Sequence, residues 1–289
     1  MGLAHSRQPR AVRRPAGVLW PAQGADVYRA DRAAVTGPAA LVVDHYWSVV
    51  WRCERVTPYR AQVLGDPVAH LTVEDAEGAM HGHPMPSALV HGVVTEVFTV
   101  DLPVAGRVAG LAFRPGGLAA LLETGIGDLT GRVVGASDLF GADVREVRDA
   151  VLAEPAEQVR QRILVDYVAD RLLPRAQRVA EDRDYATVRT AVELMRAREQ
   201  VTLAPVAAAV NVSPRTLQRL FRRYVGVSPT WVLRRYRLQD AARAIDSGQG
   251  EDLAALAASL GFADQAHFTR AFTTVIGVPP SRYRTGRAP

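Results

Sequence analysis

Eight side chains in the last third of this sequence are of the types that read nucleobases, and they fall into two groups. Arg215, Gln218, Arg219 and Arg222 form the first; Gln265, Thr269, Arg270 and Thr273 form the second. Steps of three and four residues place each group along one face of a helix. Guanidinium and carboxamide tips presented this way make paired hydrogen bonds to guanine and adenine edges in a major groove. Additional arginines and helix ends hold phosphates without reading sequence. A single basic helix face is usually just a solvated surface. Here the surroundings of the two faces are duplicated, and that argues for readout.

The duplication has a constant offset. Arg219, Phe221, Gly226 and Pro229 are answered 51 positions later by Arg270, Phe272, Gly277 and Pro280, and Leu217 by Phe268. In the first copy Thr202 is a candidate cap for a short helix reaching Val210, with Pro205 in its first turn. Asn211 and Val212 make a turn, Ser213 caps the next helix, and Pro214 takes its first position. That helix runs to Val225 and stops at Gly226, suited to the left-handed C′ site. Leu217, Leu220, Phe221 and Tyr224 form its inward stripe. In the second copy Leu253 to Leu260 is the first helix, Gly261 the turn and Asp264 the cap, with Phe268, Ala271, Phe272 and Val275 inward. Phe221, Phe262, Phe268 and Phe272 are read as core, and His267 as a packing, solvent or phosphate-contacting residue. Between the copies, Pro229 to Asp246 reads as one helix roughly 27 Å long at ~1.5 Å per residue. A rod of that length sets two recognition helices close to one DNA turn apart, about 34 Å.

Charge is partitioned to match. Tyr185 to Pro289 holds 15 arginines against 7 acidic residues, whereas the first 184 residues hold 20 against 23, leaving the whole chain at +5. A basic region joined to a near-neutral one points to a polyanion partner for the former. The sequence has no lysine, so arginine in place of lysine carries no message of its own. Cys53 is the only cysteine, which excludes an intramolecular disulfide and a multi-cysteine zinc site and suits a cytoplasmic protein. No uncharged apolar run is long enough for a membrane span, and Met1 to Pro15 lacks the apolar stretch of a secretory signal.

The elements that position these faces sort the chain into four parts. Residues 1–16 read as a disordered basic tail. Residues 17–144 show short β-branched and aromatic runs broken by Gly, Pro and Asp: Leu41–Trp51, Tyr59–Leu64, Val68–Val73, Leu89–Leu102 and Arg107–Phe113. They predict a small barrel or sandwich. Residues 145–184 change to helical period around Pro155 and read as a helical linker, and 185–289 as all-helical with two helix-turn-helix units. The fold class expected is therefore α+β.

The first half offers less chemistry. His45, His70, His81, His83 and His91 all lie there, and His81-Gly82-His83 resembles the paired ligands of metal cupins. No Glu stands where a cupin places its next ligand, so loop or core histidines are expected, and no metal or cofactor. Tyr46, Trp47, Trp51 and Phe98 are the aromatics that would line an apolar pocket for a small effector. Arg114-Pro-Gly-Gly117 reads as a turn into a helix from Leu118 to Leu122. Spacing supplies no catalytic triad or carboxylate pair, so no catalytic residue is assigned and an enzyme is not expected.

The C-terminal motifs resemble the AraC/XylS-type transcriptional regulators across about Tyr185 to Arg284. Ser213-Pro-Arg-Thr-Leu-Gln-Arg-Leu-Phe221, Gly261-Phe262, Phe268-Thr-Arg-Ala-Phe272 and Gly277-Val-Pro-Pro-Ser-Arg-Tyr-Arg284 carry the resemblance. It implies base readout by Arg215, Gln218 and Arg219 from one helix and by Gln265, Thr269 and Arg270 from the other. It also implies double-stranded DNA as partner, activation more often than repression, and RNA polymerase, a small effector and a second copy of the chain as further partners. Asn211-Val212 departs from the family's usual first turn. Asp44 to Trp51, His91-Gly-Val-Val-Thr95 and Gly106 to Gly117 resemble an uncharacterised domain that precedes such modules, which implies sensing or dimerisation. A constitutive DNA binder with a purely dimerising first half, and an enzyme fused to a DNA module, are the alternatives.

Overall fold

A computed structural model describes residues 18–20, 26–53, 59–176, 179–197 and 202–285. The basic tail expected over 1–16 lies outside them. The first half contains β1 (Tyr28–Ala34), β2 (Val43–Arg52), β3 (Tyr59–Val63), β4 (His70–Ala76), β5 (Ala79–Met80), β6 (His83–Pro84), β7 (Ser87–His91), β8 (Phe98–Leu102), β9 (Ala105–Phe113), helix α1 (Gly117–Leu122) and β10 (Val133–Gly135). The run Leu89–Leu102 is thus two strands, parted at Gly92, where a Cβ would lie 1.8 Å from the Leu129 carbonyl oxygen.

One antiparallel sheet has the order β1-β2-β9-β4-β7-β10, and the ribbons β3-β8 and β5-β6 stand apart from it. Register divides its two faces. Tyr46 pairs with Leu111, and Leu111 with Leu71; one position along, Trp47 pairs with Gly110 and Gly110 with Thr72. Since neighbours in a strand point to opposite faces, Tyr46, Leu71, Val73, Val90 and Leu111 share one side and are buried in the main core. Trp47, His70, Thr72, Glu74 and His91 share the other.

Helices α2 (Ala136–Phe140), α3 (Val144–Ala153) and α4 (Glu157–Asp166) cover the first side. Val144, Val147, Val151 and Leu164 join the sheet's core, the Tyr46 hydroxyl donates to Glu157 at 2.5 Å, and Arg107 donates to the Leu152 carbonyl at 2.8 Å. The helices expected as a linker are therefore packed on the sheet, and the chain continues from α4 through a π-helical turn, Tyr167–Leu172.

The second half is helical: α5 (Arg183–Arg196), α6 (Leu203–Ala209), α7 (Pro214–Tyr224), α8 (Pro229–Asp246), α9 (Leu253–Ser259), α10 (Gln265–Ile276) and α11 (Pro280–Arg284). A single apolar core runs from the sheet through α5, α6 and α7 to Val232, Leu233 and Tyr236 at the start of α8. Leu238, Ala241, Ala242 and Ile245 from the rest of α8 belong instead to a separate core with α9, α10, Tyr283 and the first-half residues Leu19, Trp20 and Leu64. Among the described residues no helix is long and apolar enough to cross a membrane.

Candidate nucleic-acid interface

Each recognition helix is set by local chemistry. The Ser213 hydroxyl accepts from the Thr216 amide at 3.1 Å, Pro214 occupies the first position, and Gly226 at φ +85° closes the end. Such caps satisfy orphan amides and contribute about 1 kcal/mol each. Asp264 accepts from the His267 amide at 2.6 Å to start α10, which Gly277 ends at φ +88°. Asp252 accepts from the amides of Ala254 and Ala255 and starts α9. Thr202 holds the equivalent position before α6 but its side chain makes no capping bond.

The turns are related but not identical. Val212 donates to the Ala207 carbonyl and Phe262 to that of Ala257, both at 3.0 Å, with Asn211 and Gly261 left-handed at φ +54° and +73°. Asparagine is among the few residues that adopt this region readily, so the departure at Asn211 keeps the turn. The second turn then has one more residue, Ala263, before its cap.

Leu217, Leu220, Phe221 and Tyr224 are buried on α7, and Phe268, Ala271, Phe272 and Ile276 on α10, while Val275 is half-buried. Opposite them Arg215, Gln218, Arg219 and Arg222 are exposed, as are Gln265 and Arg270. None of these six side chains has a hydrogen-bond or ion-pair partner among the described residues. Thr269 and Thr273 are only half-exposed, and the Thr273 hydroxyl donates to the Thr269 carbonyl at 2.7 Å. A hydroxyl so engaged presents its lone pairs rather than its proton. His267 is exposed with its ring edge-on to Phe262.

Several other arginines are engaged within the protein. Arg234 donates to the Ala271 carbonyl at 3.4 Å and Arg237 to that of Gly261 at 3.5 Å, tying α8 to the second unit. Arg235 is 2% exposed and donates to the carbonyls of Val94 at 3.1 Å and Thr95 at 2.6 Å, with its guanidinium 4.5 Å from the Trp231 ring. Burial pulls its pKa down to about 10. The end of α7 is held similarly: Ile126 donates to the Arg223 carbonyl at 3.0 Å and Thr130 to that of Gly226 at 3.2 Å. The Tyr224 hydroxyl donates to Asp182 at 2.7 Å and that of Tyr185 to the Leu41 carbonyl at 2.8 Å. The first unit is thereby built against the sheet domain.

The sheet's second face carries a cluster of aromatic and histidine side chains. Trp47 donates to His70 Nδ1 at 3.1 Å, and the Phe98 ring lies tilted to His81 and edge-on to His91. Trp51 is buried there with Met80 and Leu102. Tyr46 lies on the opposite face, so the four aromatics expected to share a pocket are divided three to one. His83 and His81 also diverge: His83 Nε2 lies 3.3 Å from the Val133 carbonyl, whereas His81 turns toward Glu74. Burial alone would raise the Glu74 pKa, but hydrogen bonds from His81 and His91 hold it well below the ordinary carboxylate range. Sequence reading singled out neither Glu74 nor its pairing with His91. The available signal was polar residues at every second position, His70, Thr72 and Glu74, alternating with the apolar Leu71 and Val73.

Comparison with known proteins adds two matched regions. Residues 206–286 match a helix-turn-helix domain and residues 38–135 a domain of unknown function (DUF6597). A putative AraC-like transcription regulator of Streptomyces lividans is 37% identical over 83 residues, covering 29% of this chain and 27% of that protein. The HTH-type transcriptional regulator GbdR of Pseudomonas aeruginosa is 29% identical over 133 residues, covering 45% and 33%. These matches thus span about a third or less of the curated relatives' lengths. Among solved structures, the C-terminal domain of AraT, a response regulator from Geobacillus stearothermophilus, is 31% identical over 36% of this chain and 87% of its own, with a TM-score of 0.33.

Proposed function

The C-terminal third of the chain is an AraC-type helix-turn-helix domain, and from that premise we propose that the protein is a sequence-specific transcriptional regulator acting in the cytoplasm. Helices α7 and α10 enter successive major-groove segments of one duplex. Arg215, Gln218 and Arg219, and Gln265, Thr269 and Arg270, read base edges, while Arg222 and Thr273 contact the flanking backbone. The observation that carries this reading is the repeated pairing of a capped, core-anchored helix with an exposed Arg/Gln face unengaged by protein. Activation through RNA polymerase follows from the family resemblance.

The N-terminal half is the sensing half in this reading. The sheet face that carries Trp47 and Trp51, with Phe98, the histidines and Glu74 beside them, has the mixed character of a small-ligand site: apolar surface and a few convergent polar groups. A purely dimerising role is the second reading, and a thermal-shift screen of the whole chain separates the two, because the halves share one core. The named regulators among its relatives favour a regulator over an enzyme.

The test is selection of bound genomic fragments by the purified protein, followed by Arg219→Ala and Arg270→Ala. Each substitution is expected to weaken the selected site by roughly 1–3 kcal/mol and to relax preference at its own base pairs. Intact selectivity in both variants refutes the assignment of the reading faces.

A further inference from the structure

We propose that Glu74, His81 and His91 form a binding site for a divalent first-row transition-metal cation inside the N-terminal sheet domain. One ligand atom from each of the three residues lies within 4.8 Å of the others. His91 Nε2 is 2.7 Å from Glu74 Oε1, and His81 Nε2 is 3.3 Å from Glu74 Oε2. Bond lengths of about 2.0–2.2 Å at tetrahedral angles require ligand atoms about 3.3–3.6 Å apart. A cation therefore enters with side-chain shifts of the order of an ångström.

The three arrive by different routes. Glu74 and His91 stand on neighbouring strands, on the same face, with the Thr72–Leu89 pair between them. The Thr72 hydroxyl donates to Glu74 Oε1 at 2.7 Å and fixes the carboxylate where the two imidazoles meet it. His81 reaches in from the β5-β6 hairpin at φ +55°. Their side chains are only 5%, 12% and 9% exposed for Glu74, His81 and His91. The Phe98 ring, 5.3 Å from His81 and 6.0 Å from His91, supplies an apolar wall.

Donor chemistry selects the class of ion. Two imidazole nitrogens and one carboxylate oxygen suit zinc, cobalt, nickel or iron(II) rather than magnesium or calcium, and three ligands leave coordination positions open. When the cation binds, each imidazole presents the Nε2 lone pair and carries its N–H on Nδ1. A dication with one carboxylate leaves a net positive centre beside Phe98, able to take water or an anionic effector. The inference is independent of DNA reading, since its readout involves no nucleic acid.

The test uses the full chain, stripped with a chelator and titrated with Co²⁺ and with Zn²⁺. One equivalent of Co²⁺ is expected to give the intense d–d absorption of a low-coordinate site, and Zn²⁺ to displace it. His91→Ala and Glu74→Gln should weaken uptake by more than the roughly 10–100-fold that follows loss of a partner outside the ligand set. His81→Asn keeps a residue that tolerates the left-handed turn and sits outside the main sheet, so it should lose the cation while remaining folded by circular dichroism. His83→Ala should bind like the parent. Absence of the Co²⁺ signal in the parent, unchanged uptake in His81→Asn, or loss in His83→Ala overturns the proposal.

Discussion

Replacing Arg235 by methionine tests whether the two halves are held by a buried cation. The guanidinium is 2% exposed, donates to the Val94 and Thr95 carbonyls, and lies against Trp231. A hydrogen bond to a charged group contributes roughly 1.5–3 kcal/mol, and the ring contact about 0.5–2. Desolvation of the cation offsets part of this, while methionine retains the packing of an unbranched stem. Removing one side of such a buried arrangement strands the carbonyls, and the expected net loss is about 3 kcal/mol. With a urea m-value of about 3 kcal/mol/M, the unfolding midpoint should fall by ~1 M. Arg243→Met is the control: the Arg243 side chain is 71% exposed and pairs with Asp240 one helical turn back, so less than about 1 kcal/mol is at stake. Midpoints for Arg235→Met and Arg243→Met that coincide refute the argument that Arg235 clamps the loop at 94–96.

Further outcomes follow from the caps, the close packing and one carboxylate. Ser213→Ala should lower stability by about 1 kcal/mol and Ser213→Gly by only a few tenths; equal losses in thermal denaturation would remove the capping explanation. Gly92→Ala places a methyl 1.8 Å from the Leu129 carbonyl oxygen, whereas Gly65→Ala meets nothing within 4 Å. The first should cost at least about 3 kcal/mol by overpacking and the second little, as read by chemical unfolding. Asp44 is held down to about 2 by its hydrogen bond to His45 and by the nearby Arg114 and Arg196, from an ordinary value of 3.8. A carboxylate favoured in the folded state contributes fully above the unfolded value and is lost as pH falls through the folded one. Asp44→Asn should therefore flatten the loss of stability between about pH 4 and pH 2; an unchanged acid limb argues against it.

What was legible in the sequence is what local chemistry decides. Ser213, Asp264 and the glycines at 226, 261 and 277 mark helix ends through amides and φ angles of their own segment. The stripes Leu217–Tyr224 and Phe268–Phe272 mark the inward faces through helical period. The N-terminal sheet is legible as strands but not as partners: Glu74 and His91 meet only because β4 and β7 pair in one register. Tyr46 and Trp47 are adjacent in sequence and hence on opposite faces, which strict alternation shows and grouping by aromatic character conceals. Arg235 resembles its exposed neighbours Arg234 and Arg243 in composition, and only the fold of loop 92–97 makes it internal.

Helix α8 has no glycine or proline beyond its first position, and its two ends sit in different cores. It acts as a stiff spacer packed at one end on the core shared with the sheet and at the other on the core shared with α9, α10 and the first-half residues Leu19, Trp20 and Leu64. One inserted base pair rotates a groove by roughly 34° about the duplex axis, a misalignment that such a spacer has no soft joint to absorb. Operators should therefore tolerate changed letters between the two contacted segments far better than a changed number of them.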